Sequence, residues 1–243
     1  MSNARHMSLK TRFVVRDNTL LIDLGTRRPI LSSAPRSGGF VRARYILNHQ
    51  VPANPAVLAR DSHAVWRDPS RALGIIATRM GAAGPCVGLM TAVPLKQLVV
   101  IREEAPTIWV EGFVTVGISN AVRAGEPIES QQPKRYRHAP DTINIILVTN
   151  ARLSTSAMVD AVQVVTESKT ATLISECVQS WTGQDSATGT GTDAVVVAGG
   201  EGPALRYSGT HTKIGEMIGR LVHRGITEGL ARCKQWQRCR VIE

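Results

Sequence analysis

The chain has 243 residues, 43% of them hydrophobic and 20% charged, which is enough to bury a full core and too balanced for disorder. No apolar run approaches the ~18–20 residues of a membrane span, and no signal-peptide pattern opens the chain, so the reading is a soluble, cytoplasmic protein. The net charge of +10 invites a nucleic-acid partner, but with three Tyr, three Phe and no recognition-helix or RNP pattern the expectation is no nucleic acid.

Residues 1–7, MSNARHM, read as a cloning scar, leaving 8–243 as one domain. The positive charge is spread and is densest at Arg42 with Arg44, at Lys134, Arg135 and Arg137, and along 232–240. Cys86, Cys177, Cys233 and Cys239 lack the CxxC spacing of a zinc site and the density of a disulfide scaffold, so they read as packed thiols with no metal.

The first predicted element is a hairpin. Apolar runs at 13–16 and 20–24 flank Asp17-Asn18, residues that tolerate turn geometry. The run LSSAPRSGGFVRARYILNHQV, 31–51, breaks at Gly38-Gly39 and ends a mixed apolar and basic element at Asn48 and His49. Either residue could face a ligand or cap the element locally. Residues 69–80 predict a helix, with Pro69 in its first turn and Gly81 after its last. Strand-like runs follow at 86–91, 98–102 and 108–118, and the last delivers Ser119-Asn120 to a loop, where binding groups concentrate. The polar, basic stretch 128–139 reads as a surface connection.

The stretch 141–193 organises the chain: strand, long helix, Gly/Thr-rich loop, strand. In the first strand Thr142, Asn144, Ile146 and Val148 share one face, while Ile143, Ile145 and Leu147 share the other. A buried face that opens on a hydroxyl and an amide is either a pocket mouth or a pair satisfying nearby backbone. Ser154 N-caps a helix over 155–176. Met158, Ala161, Val162, Val165, Thr172 and Leu173 form its apolar stripe, with Lys169 near the middle and Glu167 on the opposite side. A lysine there must be paired, snorkel or serve a site.

The loop 182–192, TGQDSATGTGT, lacks both the P-loop Lys-Ser/Thr and the GxGxxG spacing, and could still offer backbone N–H groups to a ligand. Asp193 enters the strand AVVVAGG. A second strand over 205–209 is expected to lead to Thr210-His211-Thr212, with Thr212 capping a final helix that has Glu216 in its first turn. That helix turns Ile214, Met217, Ile218, Leu221 and Val222 inward, and Gly219, Gly225 and Gly229 permit close neighbours.

Five blocks in order carry a resemblance: LSSAPRSGGFVRARYILNHQV, GISNAVRAGEP, TINIILVTNARLSTSAMVDAVQVVTESKTATL, TGTGTDAVVVA and YSGTHTKIGEMIGR. Together they resemble the adenosylcobinamide amidohydrolase family over about 31–230. Members remove the aminopropanol arm of adenosylcobinamide, giving adenosylcobyric acid for corrinoid salvage. The resemblance implies a corrinoid substrate and no cofactor, and leaves homo-oligomerisation open. Asp141 stands where the family pattern leads one to expect glycine. The C-terminal half also resembles the aminopeptidase and ornithine acetyltransferase superfamily, in which a Ser or Thr opening this strand is the nucleophile, usually freed by self-cleavage. The matching residue is Thr142, although one continuous chain gives no indication of cleavage. The expected fold is α+β (α/β): mixed β-sheets with helices on the outer faces, in αββα layers.

Amide hydrolysis needs a nucleophile, a proton for the leaving amine and donors to the tetrahedral oxygen. The resemblance gives Thr142 the nucleophile's role, or the positioning of a water. Lys169 or His211 would be base and then acid, and Asn120 or Asn144 would donate to the oxyanion. Asn48, Asn144, Thr190, Thr192, Asp193 and Thr210 would line the substrate. This requires the head of the strand at 142, the Gly/Thr loop and the turn bearing His211 to share one cavity. The alternative function is a non-catalytic corrinoid-binding module. Cobinamide is not an anion, so neither reading accounts for the charge of +10.

Overall fold

A computed structural model describes residues 10–52, 68–127 and 141–240. The expected scar at 1–7, the connection at 128–139 with its basic cluster, and the side chains of the basic tail beyond 236, Cys239 among them, lie outside the described residues. In chain order the elements are β1 (Arg12–Arg16), β2 (Thr19–Ser32), β3 (Gly39–Gln50), α1 (Pro69–Arg79), β4 (Cys86–Thr91), β5 (Val99–Glu104), β6 (Trp109–Val116), β7 (Ala121–Val122), β8 (Ile143–Thr149), β9 (Arg152–Leu153), α2 (Thr155–Ser175), β10 (Gly189–Thr190), β11 (Ala194–Ala198), β12 (Ala204–Leu205) and α3 (Lys213–Arg240). No helix among the described residues is long and apolar enough to cross a membrane.

Local chemistry explains the boundaries. Asp17 and Asn18 both take positive φ, 50° and 54°, the two-residue turn that matches strand twist and closes the β1–β2 hairpin. The Asp68 side chain accepts from the Arg71 N–H at the start of α1, and Ser154 accepts from the Ala157 N–H at the start of α2. Thr212 does the same for α3 through the Gly215 N–H at 3.0 Å. The strand expected over 205–209 shrinks to Ala204–Leu205, because Ser208 turns inward and donates to the Ala157 carbonyl at 2.5 Å instead of joining a ladder.

Among the described residues eight strands form one mixed sheet, in the order β4-β3-β2-β11-β8-β6-β5, with β1 on β2 beyond the end of β11. β3 pairs along both halves of β2, across an irregularity between Asp23 and Arg28. The other edge of β2 takes β1 against residues 19–23 and β11 against residues 30–32. β8 is parallel to β11 and antiparallel to β6.

Three apolar layers show how the sheet folds over itself. Leu20, Ile22, Ile46 and Leu89 from one half meet Phe113, Ile146, Val148 and Val196 from the other. Outside the second half, Ile143, Ile145 and Leu147 pack on Met158, Val165 and Leu173 of α2 and on Met217, Leu221 and Val222 of α3. Outside the first half, Leu73 and Ala77 of α1 cover Tyr45, Leu47 and Cys86. The order is therefore α1, sheet, sheet, α2 with α3. Strand β8 is buried along its whole length, one face toward each layer.

Candidate active site

The head of β8 carries a polar group on each face of the sheet. On the inter-sheet face the Thr142 Oγ1 donates to the Thr192 carbonyl at 2.9 Å, with Asn144 Oδ1 at 3.5 Å. Asn144 spends both amide hydrogens, on Asn48 Oδ1 at 3.0 Å and on the Met90 carbonyl at 2.8 Å. Asn48 in turn donates to Thr115 Oγ1 at 3.3 Å. All four side chains are buried, and the chain of bonds ties β3, β4, β6 and β8 across the inter-sheet layer. Asn48 is thus no local cap: it pairs with a residue 96 positions away.

This cluster opens on a cavity of about 270 Å³ lined by Asp141, Thr142, Asn144, Thr192 and Ala194 on one side and by Pro35, Val51, Pro69, Met90, Thr91 and Ala92 on the other. Most of the wall is apolar, and the Thr142 hydroxyl stands at the end of a strand in the manner of a pocket group. Thr115 and the Met90 carbonyl escaped the sequence reading. The one signal for Thr115 was a hydroxyl between Val114 and Val116 in β6.

Opposite, on the helix face, Lys169 meets Asp193 at 2.5 Å, both side chains nearly buried at 11% and 12% exposure. Asp193 also accepts from the Ile143 N–H at 2.9 Å, the Thr190 N–H at 3.0 Å and the Thr190 hydroxyl at 2.5 Å. One carboxylate therefore fastens α2, β8 and the Gly/Thr loop together. A Cβ at Gly189 would sit 2.5 Å from Asp193 Oδ2 and 2.7 Å from Lys169 Nζ, so any side chain there would displace the pair. Of the loop residues expected at the site, Thr192 lines the cavity, whereas Thr190 and Asp193 lie behind it. Glu167 is exposed and accepts from Gln163.

Asn120 sits on the turn after β6, next to β7, which pairs with β10 through Ala121 and Thr190. Its Oδ1 is buried and meets no donor among the described residues. Asp141 holds the same turn by accepting from the Ser119 N–H at 3.1 Å. Burial raises its carboxyl above the ordinary value of 3.8, against the pull of the Ser119 hydrogen bonds. A Cβ on Gly117 would fall 1.8 Å from Asp141 Oδ1, so the bare glycine makes the room that an aspartate, in place of the expected glycine, requires.

His211 and Thr210 are not brought to this cavity. Both are exposed and neither lines the cavity. Their turn is tied to the start of α2, through Ser208 to the Ala157 carbonyl and to Asp160. It therefore lies near the tail of β8, a strand length or roughly 20 Å from Thr142. The reason is topological: α2 starts where β8 ends, and α3 begins beside that start.

Comparison with known proteins gives a consistent result. The family model described as adenosylcobinamide amidohydrolase matches residues 3–238. A curated adenosylcobinamide amidohydrolase of Methanosarcina mazei is 31% identical over 231 residues, covering 90% of this chain and 97% of its own. An uncharacterized protein of Methanocaldococcus jannaschii is 32% identical over 227 residues, covering 87% and 85%. Among solved structures, a Pyrococcus horikoshii protein aligns with TM-score 0.44 at 10% identity, over 90% of this chain and 79% of that one. A Burkholderia sp. beta-aminopeptidase aligns with TM-score 0.42 at 13% identity, over 89% and 79%. Likenesses that distant carry no argument about chemistry.

Proposed function

We propose, since this chain belongs to the adenosylcobinamide amidohydrolase family, that it hydrolyses the amide joining the aminopropanol arm of adenosylcobinamide to its corrin side chain, releasing aminopropanol and adenosylcobyric acid. The observation that carries this reading is Thr142 in the wall of the cavity at the head of β8, its hydroxyl donating to the Thr192 carbonyl of the same wall. At about 270 Å³ the cavity falls just below the ~300–1,000 Å³ of ordinary small-molecule pockets. It suits one amide arm, with the macrocycle resting outside the mouth.

In this reading Thr142 Oγ adds to the amide carbonyl carbon. The C–N bond then breaks, and the hydroxyl's proton leaves with aminopropanol. Water cleaves the resulting ester, giving the carboxylic acid and restoring the hydroxyl. Asn144 is not the oxyanion donor, because both its amide hydrogens are committed to Asn48 and Met90. Asn120 is the remaining candidate, on the turn that Asp141 fastens. Lys169, already ion-paired, acts by holding Asp193 and through it the loop that presents Thr192 to the hydroxyl.

Mass spectrometry after incubation with adenosylcobinamide tests the reaction. Wild type should release aminopropanol, Thr142→Ala should be slower by about 10³-fold or more, and Thr142→Ser should keep part of the rate. Corrinoid binding without turnover over a day would replace hydrolysis with a binding role. A folded Thr142→Ala enzyme within threefold of wild type would remove Thr142 as the reacting group.

A further inference from the structure

A second cavity, of about 240 Å³, opens at the far end of the sheet from Thr142, between the β1–β2 hairpin and the start of β6. Its wall includes Lys10, Thr11, Arg12, Arg28 and Trp109, with Asp23 at one side. The nearby carboxylates are already engaged. Asp23 forms its ion pair with Arg44 at 2.7 Å. Glu111, fully buried beneath the wall, accepts from the Lys10 N–H, the Thr11 N–H and Arg102. Among the described residues no carboxylate comes within ion-pair distance of the side chains of Lys10, Arg12 or Arg28. Glu201 reaches Arg28 only as a longer-range charge, and burial outweighs it in lowering the guanidinium's affinity for its proton.

Two buried donors are also left over. Arg28 Nε has no acceptor among the described residues, and neither has the hydroxyl of Thr11, whose residue is only 9% exposed. Buried donors and a half-buried guanidinium such as that of Arg28 are costly unless paired, and orphans of this kind concentrate where a ligand supplies the missing acceptors. Asp23 likewise reaches Arg12 only as a longer-range charge. An oxyanion is all acceptor, and a doubly charged one matches three cations without a direct ion pair better than a single carboxylate does. The planar fork of an arginine suits phosphate oxygens, and Trp109 offers an aromatic wall beside it.

We propose that this cavity binds the phosphate of a phosphate-bearing small molecule, with Arg28 as the principal contact and Lys10 and Arg12 supplying the remaining positive charge. The site is separate from the Thr142 cavity and does not depend on the hydrolase reading. It gives three of the chain's cations a task that the corrinoid leaves unassigned.

Isothermal titration of the full chain with inorganic phosphate, with ADP and with acetate at matched ionic strength tests it. Saturable binding of phosphate or ADP, but not acetate, is expected, and Arg28→Met should weaken it about tenfold or more. Arg12→Met, on an exposed strand, should weaken it severalfold and flatten its salt dependence, which serves if Arg28→Met misfolds by circular dichroism. Tighter binding of ADP than of phosphate, abolished by Trp109→Leu, identifies a nucleotide. Equal binding of the two identifies free phosphate. No saturable binding of either, acetate binding as well as phosphate, or unchanged affinity in the folded Arg28→Met and Arg12→Met variants would overturn the proposal.

Discussion

The two faces of β8 solve the problem of burying polar groups in opposite ways. On the inter-sheet face four neutral side chains, Asn48, Thr115, Thr142 and Asn144, share hydrogen bonds and leave one hydroxyl at a cavity wall. On the helix face a charged pair, Lys169 and Asp193, is closed in by Gly189 and Thr190. A neutral cluster can lend a group to a ligand at small cost, whereas a buried ion pair is expensive to open. The proposed reaction therefore draws on the first face, and the second holds the loop in place.

The sharpest way to break this contrast is to cut the ion pair. Asp193→Ala leaves Lys169 buried without its partner and frees the Gly/Thr loop, which should cost about 3 kcal/mol or more. In a chain of this size that is a fall of roughly 6–12 °C in Tm by calorimetry. Lys169→Met should cost less, about 1–2 kcal/mol, because Asp193 keeps its bonds from Ile143 and Thr190. The kcat of the folded Lys169→Met enzyme should stay within about tenfold of wild type; a drop beyond the ~10²-fold of general base catalysis would move the lysine into the chemistry.

The neutral face should yield more gently. Asn144→Leu strands Asn48 Oδ1 and the Met90 carbonyl inside the sandwich and should cost about 2 kcal/mol in urea unfolding. Thr115→Val, which removes only a 3.3 Å bond, should cost less than about 1 kcal/mol. Equal losses in the two variants would show that the cluster is held by packing alone.

The smallest expected effect is in pH. His49, beside Asn48, bonds Thr19 at 2.9 Å, and burial lowers its pKa below the ordinary 6.5. The unfolded chain therefore takes up a proton first as the pH falls. Stability should be constant above about 6.5 and decline below it. His49→Gln should flatten the fall in Tm between pH 7.5 and 5.5; an unchanged slope would assign it to other groups.

Period-two alternation made both faces of β8 readable in advance, including the Thr142 and Asn144 positions, and strand-like apolar runs located β4, β6 and β11. The caps at Ser154 and Thr212 were readable because capping is local. Lys169 announced a partner by its place in an apolar stripe, but nothing near it in the chain named Asp193, 24 residues on. The Asn48–Asn144 bond spans 96 residues and exists only because the sheet folds over itself, a tertiary fact that no window reveals. The position of His211 was not legible for the complementary reason: its turn looked like a handover into a site, yet where a turn lands depends on which end of α2 the last helix meets.

The middle of the sheet closes across the longest gap in the chain, with β11 docking on β2 so that the Val195 N–H meets Ser33 Oγ, 162 residues earlier. While the protein is being made, the hairpin and its neighbours therefore wait beside an unfilled slot until β11 leaves the ribosome. Until then the nascent chain carries an open strand edge, which is where self-association begins. Its yield in a cell should depend on how soon β11 follows β2 as much as on the stability of the finished fold.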